Sequence, residues 1–133
     1  MPPKLNGIDH IHLYVPNRED AAKWYKDILG FTSPAAYAFW AEDKQGPLVM
    51  TDSSGKIHLA LFQRETPPAS AAIAFGVDGK GFLEWKTYLE DHNLLDNFSD
   101  HTLSWSLYFN DPYGNGHEIT TYQHDYVARH LAF

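Results

Sequence analysis

Two stretches of this chain carry the same pattern. Val15 falls on Val77 and Trp24 on Trp85. The turn Asp52-Ser53-Ser54-Gly55 falls on Asp111-Pro112-Tyr113-Gly114, and Leu59, Phe62 and Gln63 fall on Ile119, Tyr122 and Gln123. The period, about 60 residues, is too long for the common solenoids. It implies two copies of one supersecondary unit, at about 7–63 and 71–123, within a single domain over 1–133. The polar, proline-containing stretch Arg64 to Ser70 joins them.

Each copy reads β-α-β-β-β. In the first, Ile8 to Val15 alternates as a strand, with Ile11, Leu13 and Val15 on one face and His10, His12 and Tyr14 on the other. Arg18 to Leu29 has helical spacing in Ala21, Trp24, Tyr25, Ile28 and Leu29; Asn17 is its N-cap and Gly30 its stop. Ala36–Trp40, Pro47–Thr51 and Lys56–Gln63 read as strands. The second copy runs Ala71–Val77 (strand), Gly81–His92 (helix), then strands Asn97–His101, Leu103–Phe109 and His117–Tyr122. The tail, His124 to Phe133, reads as a last helical turn or two. The expected class is α+β: cupped, mixed four-stranded sheets with a helix on each outer face. The Trp24-Tyr25 and Trp85-Tyr88 pairs are expected in the helix–sheet cores.

The closing hairpin poses the chemical question. In Asn110-Asp111-Pro112-Tyr113-Gly114-Asn115-Gly116, aspartate closes the turn, proline sets φ, and glycine and asparagine accept positive φ. In the strand that follows, Ile119 marks the core face, which His117 shares in a structural role, so Glu118 lies on the other face. A carboxylate in mid-strand needs water, a cation or a metal beside it. Laid over one another, the repeats put His10, His58, Ala72 and Glu118 at equivalent cleft-facing positions. Two imidazoles and a carboxylate suit Fe2+, Mn2+, Ni2+, Co2+ or Zn2+, with coordination positions left open. Tyr14, Trp40, Phe62, Tyr108 and Tyr122 are candidates for an aromatic wall.

Composition excludes other classes. A net charge of −7 and a pI of about 5.5 argue against a nucleic-acid surface. The absence of cysteine removes disulfides and thiolate chemistry. No stretch has the apolar length of a membrane span, so a cytoplasmic protein is expected. Neither a nucleotide-binding loop nor a serine or cysteine nucleophile arrangement is present.

The frame IDHIHLYV-PN-helix-LGF, then IHLALF, then FNDPYGNGHEI, resembles the vicinal oxygen chelate superfamily of glyoxalases, extradiol dioxygenases and bleomycin-resistance proteins. The resemblance spans roughly Gly7 to Tyr122. It implies a divalent metal chelated by neighbouring oxygens of a small substrate, with His10, His58 and Glu118 as ligands. It further implies a homodimer in which His10 and His58 of one chain meet Glu118 of the other. The sequence departs from the family at Ala72, where a histidine commonly opens the second module. The function expected is a metal-dependent enzyme, dioxygenase chemistry being one form, with His12 and Tyr122 as acid/base or orienting groups. The alternatives are a glyoxalase-type lyase or isomerase and a metal-free sequestering protein.

Overall fold

The computed structural model describes residues 1–68 and 71–131. The chain divides into two compact units, residues 1–68 (unit 1) and 69–133 (unit 2). Of the connector and tail read from the sequence, Ala69, Ser70, Ala132 and Phe133 lie outside the described residues.

Unit 1 opens with β1 (Ile11–Val15) and α1 (Arg18–Leu29). Asn17 caps α1 by accepting from the Asp20 amide, and Gly30 ends it at φ 74°, a left-handed conformation that glycine adopts without strain. Strands β2 (Pro47–Thr51) and β3 (His58–Gln63) form an antiparallel hairpin, and β1 joins β3 in parallel, giving the order β1-β3-β2. Leu13, Val15, Leu59 and Leu61 are buried with Ala21, Tyr25 and Phe31. That leaves the open face of the sheet to His12, Tyr14, His58, Ala60 and Phe62.

The strand expected over Ala36–Trp40 is absent. Those residues form a 3-10 turn, Ala35–Tyr37, running into a short helix, α2 (Ala38–Ala41). Pro34 precedes the turn at φ −64°, and the alanines at 35, 36, 38 and 41 favour helix over strand. The outer edge of β2 instead takes a single bridge, in which Thr32 and Thr51 exchange amide bonds of 2.8 and 2.7 Å. Unit 1 therefore has a three-stranded sheet.

Unit 2 has β4 (Ile73–Gly76), α3 (Gly79–Asp91), β5 (Asn97–Asp100), β6 (Trp105–Asn110), β7 (Gly116–Thr121) and α4 (His124–His130). Its order is β4-β7-β6-β5, again with the first strand parallel to the last. Helix α3 starts two residues before the spacing predicts, because Asp78 caps it by accepting from the Gly81 amide. Gly79 lies where a Cβ would come within 2.6 Å of the Tyr126 ring, so α4 packs on bare backbone. Phe82, Leu89, Leu107, Phe109, Ile119 and Val127 are fully buried, whereas Trp24 and Trp85 are only half-buried. No helix among the described residues is long and apolar enough to cross a membrane.

Candidate functional site

In unit 1 the parallel register Ile11 to Leu59, continued one step back, sets His10 beside His58. Both line a cavity of about 420 Å³ with Asp9, Tyr37, Trp40, Pro47, Val49 and Ala60. Each imidazole has one nitrogen engaged from behind. Asp9 accepts from Nδ1 of His10 at 2.8 Å, and Thr51 Oγ1 bonds Nδ1 of His58 at 2.9 Å. The Asp9 carboxylate only accepts, so it sets both the orientation and the tautomer of His10, whose Nε2 meets His12 Nε2 at 3.0 Å; the Thr51 hydroxyl, which can donate or accept, orients the His58 ring.

The helical segment that replaced the expected strand walls this cavity. Tyr37 stacks on Trp40 with centroids 5.3 Å apart and meets His58 edge-on at 6.2 Å. Arg18, buried at the start of α1, holds the segment in place. Its guanidinium donates to the carbonyls of Ala41, Asp43 and Gly46 at 2.9, 3.1 and 2.6 Å. Further along the same face, the His12 ring lies 4.7 Å from Phe62. Phe62 and Tyr14 also carry the Arg64 guanidinium, at 5.4 and 5.9 Å.

In unit 2 the alternation around Glu118 is as expected: His117, Ile119 and Thr121 are buried, while Glu118 and Thr120 are half-exposed. Glu118 accepts from Ser106 Oγ at 2.7 Å. Across the ladder stands Tyr108, whose hydroxyl bonds His101 Nε2 at 2.9 Å. On the other side β4 contributes only Ala74 and Gly76, so this face is small and polar. Tyr122 is 80 % exposed and lines a separate groove with Thr102, Leu103, His124 and Arg129. His117 packs between Phe75 and Phe109, and desolvation pushes its pKa down to about 4, against a smaller upward pull from Asp111.

Two of the three expected ligands, His10 and His58, thus share a cavity in unit 1, and Glu118 belongs to unit 2. Among the described residues no group of three or more His, Cys, Asp or Glu is gathered as a metal cage. The donor chemistry of unit 1 nonetheless fits a borderline divalent ion, through two imidazoles whose Nδ1 atoms are already engaged. Sequence reasoning missed Asp9, Thr51, Ser106, Tyr37 and Arg18. Thr51 and Ser106 were within reach, because hairpin register alone sets Thr51 opposite His58 and Ser106 opposite Thr120.

Three solved structures illustrate the likeness of fold. A lactoylglutathione lyase from Agrobacterium tumefaciens aligns with a TM-score of 0.67 at 24% identity, over 92% of this chain and 97% of its own. A glyoxalase/dioxygenase from Nostoc punctiforme gives 0.70 at 20%, over 91% and 94%. A mutant of the fosfomycin resistance protein FosX from Listeria monocytogenes, complexed with Mn(II) and 1S,2S-dihydroxypropylphosphonic acid, gives 0.72 at 11%, over 95% and 99%. No curated protein matches the sequence. The family model described as Glyoxalase/Bleomycin resistance protein/Dioxygenase superfamily matches residues 7–119, and the chain belongs to that superfamily.

Proposed function

We propose that this chain is a metal-dependent vicinal oxygen chelate enzyme, acting on a small substrate with two adjacent oxygens, dioxygenation being the first reaction to assay. The observation that carries this reading is the pair His10 and His58 in one cavity, each with Nδ1 tied back. Their Nε2 atoms would hold the ion, with Glu118 of a second copy as the third ligand. A divalent ion bound there supplies Lewis-acid stabilisation of negative charge on the substrate oxygens.

The chain's own groups do the rest. Asp9 and Thr51 hold the two imidazoles in orientation, and Ser106 holds one carboxylate oxygen of Glu118. Tyr37 and Trp40 give a planar substrate a flat wall and keep water from its far side. His12 and Tyr122 are proposed to orient the substrate or exchange its protons. A glyoxalase-type isomerisation ranks lower, since the position that is glutamate in many glyoxalases is His58 here. The second reading, a metal-free sequestering protein, is favoured by the apolar wall and by Ala72.

The test is the metal content of protein purified without chelator or affinity tag, for the wild type, His58→Ala and Glu118→Ala. Stoichiometric divalent ion in the wild type, lost in both variants, supports the enzyme; oxygen-uptake assays with catechols follow. A wild type that stays empty after incubation with Fe(II), Mn(II), Ni(II) and Zn(II) leaves the sequestering protein as the account.

A further inference from the structure

His10 and His12 sit two residues apart at the start of β1, on the same face, and their Nε2 atoms stand 3.0 Å apart. Two nitrogens each about 2.0–2.1 Å from one ion, at angles between right and tetrahedral, are about 2.8–3.4 Å apart. The spacing is therefore the bite of a two-imidazole chelate. A plain imidazole–imidazole hydrogen bond has a similar length. Imidazoles meeting head-on at that distance would have centroids roughly 5.3 Å apart. A pair sharing one ion near a right angle would have them roughly 4.7 Å apart. The observed separation, 5.0 Å with planes 28° from parallel, lies between these two arrangements.

Both rings are also held. The Asp9 carboxylate takes Nδ1 of His10, the support that metal-bound histidines receive. The His12 ring is packed against Phe62 at 4.7 Å and meets Tyr14 edge-on at 6.5 Å. His10 and His12 remain exposed, open to an ion and to further donors.

We infer that His12 is a ligand to the ion held by His10, so that the His-x-His step along β1 forms a chelate. The inference rests on the metal-dependent reading above and moves His12 from proton exchange to ligation.

Calorimetric titration of the untagged full chain with Ni(II), and separately with Co(II), tests this in the wild type, His10→Ala, His12→Ala and His12→Gln. Either change at His12 is expected to weaken Ni(II) binding at least about tenfold. The metal-free melting curve should move little, because the side chain is exposed and gives up only its ring contacts with Phe62 and Tyr14. Bound Co(II) should also shift the His12 ring protons in the wild-type NMR spectrum. Ni(II) binding within about twofold of wild type in both His12 variants, with His10→Ala having lost it, overturns the inference and leaves the metal reading standing. A wild type that binds neither ion overturns both.

Discussion

Unit 1 and unit 2 share a scaffold and diverge at one place beside it. In both, the first strand lies parallel to the last, the last two strands form a hairpin, and an aspartate closes the hairpin turn. Asp52 accepts from the amides of Lys56 and Ile57, and Asp111 from those of Tyr113 and Asn115. The difference lies beyond the first strand of each hairpin, β2 in unit 1 and β6 in unit 2. Unit 2 puts β5 there and keeps its open face bare. Unit 1 puts the 3-10 turn and α2 there, and Tyr37 and Trp40 close a cavity over the imidazoles. A repeated hydrogen-bonding frame thus carries one walled, aromatic face and one small, polar face, set apart by a segment of fewer than about ten residues.

Arg18→Ala strikes the divergent element directly. It leaves three carbonyls without their charged donor and should cost about 4 kcal/mol in denaturant unfolding, with Trp40 fluorescence changing as α2 loosens. The next effect belongs to unit 2 alone. His117 has a folded pKa of about 4 against 6.5 when unperturbed, so the unfolded chain binds the proton first. Stability is therefore full above pH 6.5 and declines as pH falls from 6.5 toward 4, by at most about 3 kcal/mol. His117→Phe should flatten that slope in unfolding curves taken across this window. The smallest effects fall on the groups behind the His58 imidazole and the Glu118 carboxylate. Thr51→Val and Ser106→Ala should each cost about 1 kcal/mol of stability. A larger loss of metal affinity than of stability would mark them as positioning residues.

Periodic features were legible from sequence. Helix α1 runs over the predicted residues, with Asn17 and Gly30 at its ends, because capping and spacing are local. Both closing hairpins follow from their Asp-to-Gly turns. The face assignment of Glu118 against His117 and Ile119 follows from a period of two. What failed was non-local or ambiguous. Ala36 to Phe39 alternate small and aromatic and satisfy a strand pattern, yet after Pro34 the alanine-rich segment turns into a 3-10 turn and α2. The role of Arg18 depends on carbonyls from a distant loop. Trp24 and Trp85 have the right helical phase but lie at the margin of the buried stripe, where Tyr25 and Phe82 are central. The metal candidates were read as residue types; the side-chain contacts that orient them, Asp9 and Thr51, needed three dimensions.

The parallel pairing has a kinetic consequence. Ile11 meets Leu59, and Ile73 meets His117, roughly 45 residues later in each case. The β2–β3 and β6–β7 hairpins close over a few residues and form early, whereas β1 and β4 wait for a long loop to shut. Strand β1 is then among the last elements docked in unit 1 and among the first to fray. His12 rides on it and His10 immediately precedes it, while His58 sits on the early hairpin. An ion that ties the imidazoles of β1 together acts on the latest-forming edge of the unit. Its clearest signature should be slower opening of β1 in hydrogen exchange, with the rate of hairpin formation unchanged.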